Sequence, residues 1–241
     1  MSEANSFFKR SIKSVFSIFL TQTKVSRIEQ LAESFVLIEM TGTKLKEANW
    51  NPGSKVQVNV GNLTYRTYTP IIVDKNEGKL SFLAYKRNDG PASTWIHSLK
   101  VGDPCEVFGP RLSLDFSNIE EDAILFGDET SFGIAKVLQN NIKKKSYSFL
   151  ELNSLAEGKE ALGHLGLTGH RMIERSPEGS HLQTIAKEMF DLISNIPDAK
   201  IFLTGRASSI QQVRAYLKNS GIPTNKLKVR AYWADGKKGL D

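Results

Sequence analysis

The sequence predicts an α+β chain of two domains: a six-stranded antiparallel β-barrel over residues 21–114, then a doubly wound α/β domain with a parallel sheet over residues 122–241. Three observations carry this. The 241 residues, 40% hydrophobic and 24% charged, suit two soluble domains of about 100–130 residues each. From Lys24 to Arg111 the apolar runs are short, β-branched or aromatic, and separated by turn clusters such as Asn51–Ser54 and Lys75–Gly78. From Asp122 onward short apolar runs alternate with helical patterns, the signature of βαβ units. The acidic, poorly patterned stretch 115–121 is the expected link.

Taken in order, residues 1–20 are expected to form an amphipathic helix, because Phe8, Ile12, Val15, Phe16 and Phe19 fall near helical spacing with Ser and Lys between them. Lys9, Arg10 and Lys13 ahead of Val15–Leu20 look faintly like a signal peptide. Ser17 breaks the apolar run, and no small-residue cleavage site follows. The barrel strands are read in TKVSRIEQL, FVLIEMTG, KVQVNV, TYRTYTPIIV, KLSFLAYK and PCEVFGP, with one helix, PASTWIHSLK, opening at Pro91. In the second half AILFG leads to TSFGIAKVLQNN, and YSFLELN to AEGKEALGHL. SHLQTIAKEMFDLISNI then leads to AKIFLTG, and ASSIQQVRAYLKNSG to KLKVRAYW.

Composition excludes several classes. One cysteine, Cys105, rules out an internal disulfide framework, fits a reducing compartment and reads as a small core residue. No run of about 18 apolar residues is present, so no integral membrane segment is expected and the chain reads as cytoplasmic. The net charge is +6, yet the basic residues are scattered and form no zinc-finger, RNA-recognition or basic-zipper pattern, so no nucleic-acid partner is expected. His97, His164, His170 and His181 show no ligand spacing and read as surface or helix decoration, with no protein-bound metal.

The chemistry concentrates at a few junctions. If YRTYTP is a strand, Arg66, Tyr68 and Pro70 share one face and Tyr65, Thr67 and Thr69 the other. In DGPAST, Gly90 lets a ligand approach the backbone, and Ser93 with the neighbouring N–H groups makes an anion site at a helix start. An Arg for a pyrophosphate, an aromatic for a flat ring and a hydroxyl for a ring nitrogen describe a dinucleotide with a planar head. In the second half, ligands belong at the carboxyl ends of the parallel strands. There FGDETSFG (Phe126–Gly133) opens a helix near Thr130, and LTGRAS (Leu203–Ser208) carries Arg206, suited to a phosphate.

These motifs occur in the order found in the siderophore-interacting proteins, a branch of the ferredoxin–NADP reductase superfamily that the chain resembles over residues 20–235. They are R-x-Y-T at Arg66–Thr69, G-P-A-S at Gly90–Ser93, G-D-E-T at Gly127–Thr130 and Y-W at Tyr232–Trp233. The resemblance implies non-covalent FAD, with Arg66 on its pyrophosphate, Tyr68 stacked on the isoalloxazine and Thr69 near N5. It further implies Gly90, Ala92 and Ser93 at the phosphates, Lys86 at the ribityl or phosphate arm, and Trp233 near the other flavin face. Tyr68, Thr69 and Trp233 are then the catalytic candidates, and Asp128, Glu129, Thr130 and Arg206 the NAD(P)H-binding ones. Two positions depart from the family: Ala234 follows Trp233 where many members have Arg, and Gly205–Arg206 stands where many have Gly-Glu.

The activity implied is reduction of Fe(III) to Fe(II) in an anionic ferric siderophore such as a catecholate, with electrons from NAD(P)H or a ferredoxin, by a chain expected to be a monomer. Glu151 sits where an acid favours a free ribose hydroxyl, whereas Lys159 and Arg206 favour a 2′-phosphate. A cationic rim of Lys44, Lys46, Lys237 and Lys238 is expected to attract the substrate. The alternatives are a general flavin reductase serving a protein partner, or a non-catalytic siderophore- or nucleotide-binding protein.

Overall fold

A computed structural model describes residues 20–87 and 90–237. Of the N-terminal helix expected over residues 1–20, all but Leu20 lies outside the described residues, as does Lys238, and Leu20 belongs to a strand.

Seven strands, rather than six, build the first sheet: β1 (Leu20–Ala32), β2 (Phe35–Thr41), β3 (Ser54–Asn59), β4 (Tyr65–Tyr68), β5 (Pro70–Asp74), β6 (Lys79–Tyr85) and β7 (Pro104–Leu112). The extra strand arises because TYRTYTPIIV does not run straight. It breaks at Thr69, and the two pieces lie at opposite edges of the order β4-β3-β7-β1-β2-β6-β5. Chain neighbours at the two edges curl the sheet into a barrel, and Pro70, which has no N–H to donate, begins an edge strand. Alternation along β2 sends Val36, Ile38 and Met40 into the barrel core with Val56, Val58, Leu80, Phe82 and Val107. Cys105 lies in this core, where burial pushes its thiol up to about 11. Helix α1 (Pro91–Ser98) follows β6.

The second sheet is parallel throughout, in the order β10-β9-β8-β11-β12. Its strands are β8 (Ala123–Gly127), β9 (Ser146–Leu152), β10 (His170–Glu174), β11 (Lys200–Arg206) and β12 (Leu227–Trp233). The connections are α2 (Phe132–Asn141), α3 (Leu155–Leu165), α4 (Ser180–Asn195) and α5 (Ala207–Asn219). The strand order reverses between β8 and β11, which is where a crevice opens in such sheets. Strand β10 was not legible in the sequence: it is a five-residue edge strand with polar residues on both sides.

The two halves share one hydrophobic core. Phe35 of the barrel stacks on Phe132 of α2, with ring centroids 4.9 Å apart and planes 6° from parallel. The expected link, residues 115–121, is packed: Phe116 and Ile119, with Leu114 just before them, are buried in that core, and Phe116 meets Phe202 edge-on at 5.1 Å. Its backbone is tied to the barrel through Leu114 N–H to Gly53 O and Phe116 N–H to Pro52 O. Ser34 N–H donates to Glu157 of α3, and Asn153 donates to the Tyr85 hydroxyl, so polar contacts also cross the boundary. Among the described residues no helix is long and apolar enough to cross a membrane.

Candidate functional site

The carboxyl ends of β8, β11 and β12 face the barrel where β4 passes to β5 and where β6 passes to α1. Asp128, just beyond β8, is fully buried. Its Oδ1 accepts the Thr130 N–H at 2.9 Å and the Thr130 hydroxyl, and its Oδ2 accepts the Trp233 indole N–H at 2.7 Å. Desolvation is the main cause that pushes its carboxyl up to about 6, with the Glu129 charge second and the hydrogen bond from Thr130 opposing. Gly205 makes room for it: φ there is +94°, and a Cβ would lie 2.6 Å from Asp128 Oδ2.

Trp233 ends β12, paired with Arg206 of β11. The Arg87 guanidinium, which comes from the barrel side just past β6, lies 3.6 Å from the centroid of its ring. Arg206 stands 5.4 Å from the same ring and forks onto Asp235 Oδ2 at 3.0 and 2.8 Å. One residue earlier, Tyr232 turns its buried hydroxyl toward Thr69 without closing a hydrogen bond of good geometry. Burial raises the pKa of that phenol, and Thr69 only partly offsets it. The α2 N-terminus approaches the same residue: a Cβ on Gly133 would stand 3.3 Å from Thr69 O. Ser93, buried at the start of α1, donates its hydroxyl to Arg87 O at 3.3 Å, so the turn carrying Lys86 and Arg87 is tied to the helix start. Tyr68 lies on the strand leading to Thr69 and stacks one ring face on Phe82 at 4.4 Å. Arg66 Nη1 donates to Tyr65 O.

The cleft therefore collects Thr69, Lys86, Gly90, Ala92, Ser93, Arg206 and Trp233, and adds Arg87 and Tyr232. Several expectations need correction. Asp128 and Glu129 are buried, with their oxygens committed: Glu129 accepts the Asn153 N–H at 2.6 Å and pairs with Arg175 at 3.2 Å. Their side chains shape the loop and do not reach out to a nucleotide; only Thr130 is part-exposed there. Glu151 is likewise fully buried: its Oε2 is held by Arg175 at 3.4 Å and His181 at 2.8 Å, and its Oε1 is enclosed without a partner, so the carboxylate does not reach out to a ribose. His181 is thus a packed partner rather than decoration. Because its Nδ1 accepts the Ser176 N–H, its Nε2 carries the proton donated to Glu151.

Lys44 and Lys46 do not join the rim. They follow Thr41, which pairs with Lys79 at the start of β6, whereas the cleft lies past Tyr85 at its other end. At ~3.3 Å per residue the strand separates them by about 20 Å. Lys237 is exposed just beyond Trp233. Arg87 carried no motif, but its place beside Lys86 after a barrel strand was the signal available.

Comparison with known proteins fits this geometry. Residues 22–116 match the oxidoreductase FAD-binding domain. The toluate 1,2-dioxygenase electron transfer component of Pseudomonas putida is 30% identical over 111 residues, 45% of this chain. An uncharacterized FAD-binding protein of Schizosaccharomyces pombe is 33% identical over 91 residues, 37% of this chain. The chain spans 33% of the length of each of these relatives. Among solved structures, the siderophore-interacting protein of Acinetobacter baumannii superposes with a TM-score of 0.72 at 19% identity, covering 90% of this chain and 91% of that one. The siderophore-interacting protein of Aeromonas hydrophila gives 0.74 at 16% identity, covering 90% and 92%. The chain thus joins a barrel that matches the oxidoreductase FAD-binding domain to a parallel α/β domain, and its two-domain fold is the one seen in the solved siderophore-interacting proteins and a ferredoxin reductase.

Proposed function

We propose that the chain is an FAD-dependent reductase of ferric siderophores that draws electrons from NAD(P)H or a reduced ferredoxin. The observation that carries the reading is the convergence of Thr69, the α1 start and Trp233 on one interdomain cleft. The donor set fits FAD. At the α1 start the Ala92 and Ser93 N–H groups precede the first intrahelical bond, from Thr94 N–H to Gly90 O, and are placed to serve an anion. Lys86 and Arg66 supply cations for a pyrophosphate, and Tyr68 keeps one ring face free of Phe82 for a flat ring. When bound, FAD would accept two electrons at once and release them singly.

The chain's own residues orient and screen. Thr69, backed by Tyr232, presents a hydroxyl at the join of the two domains. Trp233 screens the opposite side of the cleft and has to shift for a nicotinamide to stack. Thr130 and Arg206 are the proposed nucleotide contacts, and Lys237 with Lys238 the proposed capture site for an anionic substrate. The chain acts as a monomer, in the cytoplasm, in this reading.

Purified protein is tested for a yellow chromophore, then for anaerobic reduction by NADH, NADPH and reduced ferredoxin, then for reoxidation by ferric siderophores. Reduction followed by rapid reoxidation on adding ferric siderophore is expected; protein that holds no flavin overturns the reading. The match to an electron transfer component favours a second reading, delivery of electrons to a protein. That reading predicts faster reoxidation by an iron–sulfur protein than by any ferric chelate.

A further inference from the structure

We propose that Asp128 and Arg87 are positioning residues that clamp the Trp233 indole across the cleft between the two domains and so set how often a planar ring can enter it. The clamp stands on geometry alone, while its effect on access rests on the flavin reading above.

The indole is restrained in two independent directions. In its plane, the N–H is spent on Asp128 Oδ2 at 2.7 Å. Across its face, the Arg87 guanidinium lies 3.6 Å from the ring centroid. The acceptor is itself fixed. Thr130 holds the other carboxylate oxygen, and the absence of a side chain at Gly205 leaves the space into which the carboxylate packs. Asp128 follows β8 and Trp233 ends β12, whereas Arg87 belongs to the barrel, so the sandwich spans the domain boundary.

The two restraints differ in strength. A hydrogen bond to a buried carboxylate is charge-assisted and short. A guanidinium stacked on a ring where water reaches it is held more weakly. Arg87 is exposed, so it is the removable cover and Asp128 the anchor. A ring that stacks on the covered face has to displace Arg87, and one that needs the indole's own space has to break the Asp128 bond as well.

The test uses the full chain as purified, with 15N-labelled tryptophan. Three indole N–H signals are expected, from Trp50, Trp95 and Trp233, and Trp233→Phe assigns the last by its loss. In Asp128→Asn the Trp233 indole proton should exchange with solvent about tenfold faster. Arg87→Gln, a change at an exposed side chain that leaves the fold intact, should accelerate it less. Reduction by NADPH or NADH should reach half its limiting rate at several-fold lower nucleotide in both variants, with the limiting rate nearly unchanged. Unaltered indole exchange in both variants overturns the clamp. Faster exchange with an unaltered nucleotide dependence overturns its role in access. A parent protein that holds no flavin refutes the functional reading, and the role in access with it; the clamp is then judged by the exchange rates alone.

Discussion

Gly205 and Gly221 both adopt φ +94°, but they differ in what surrounds them. A Cβ at Gly221 meets nothing within 4 Å, whereas one at Gly205 lies 2.6, 2.7 and 2.9 Å from the Oδ2, Cγ and Oδ1 of Asp128. Replacing either by Ala imposes the same backbone penalty, roughly 1–2 kcal/mol for an L-residue at positive φ. At Gly205 the methyl group also pushes the carboxylate off its donors. A hydrogen bond to a charged group is worth about 1.5–3 kcal/mol. Gly205→Ala should therefore lose roughly 2.5–5 kcal/mol and Gly221→Ala roughly 1–2 kcal/mol. Urea unfolding followed by circular dichroism and by tryptophan emission measures both, provided the two transitions coincide. Equal losses in the two variants would refute the view that Gly205 exists to accommodate Asp128.

Phe132→Ala opens the core shared by the two domains and should cost about 3–5 kcal/mol, read by the same unfolding experiment. Asp128 titrates near 6 in the folded chain and near 4 when unfolded, so the folded state binds the extra proton between those values. Relative to Asp128→Asn, the parent should lose stability as pH rises from 4 to 6, by roughly 3 kcal/mol, and level off above; a flat difference across that window refutes the assignment. Asp235→Asn removes a part-exposed ion pair with Arg206 and should change stability by less than about 1 kcal/mol. Replacing Lys237 and Lys238 by Gln should slow reoxidation by an anionic ferric siderophore at low salt and lose that effect as salt rises; identical, salt-insensitive rates in both proteins would leave these lysines as surface charge.

What the sequence disclosed and what it withheld follow from the physics of each signal. The two domains were legible because the apolar rhythm changes from short, turn-bounded runs to strand–helix alternation. Strand β10 was not, because an edge strand of His, Arg, Met, Ile and Glu buries too little to leave a pattern. YRTYTP was read as one strand because alternation does not record the break at Thr69, where β4 and β5 part to opposite edges. The motif residues at the α1 start and at Trp233 border one cleft through Arg87, which Ser93 ties to the helix start and which lies over the Trp233 ring. Lys44 and Lys46 do not, because proximity in a list of charges says nothing about which end of a strand they occupy. Burial of Asp128, Glu129 and Glu151 was equally hidden: a carboxylate after a strand reads the same whether it faces solvent or a packed Arg175.

The core that joins the barrel to the α/β domain constrains how anything can move in the cleft between them. Parting the domains as rigid bodies would bare Phe35, Phe116 and Phe132 to water together, each fully or almost fully buried at present. Burying such a side chain is worth roughly 1.5–3 kcal/mol, so a hinge motion would have to overcome several of these at once. A swing of one side chain about its χ angles exposes none of them. Entry to the cleft should thus be a rotamer event, intrinsically as fast as nanoseconds and slowed only by the bond that has to break first, rather than a microsecond-to-millisecond domain opening. A barrel cut free at residue 116 would lose its cover over the same rings and is expected to aggregate rather than serve as an independent flavin module.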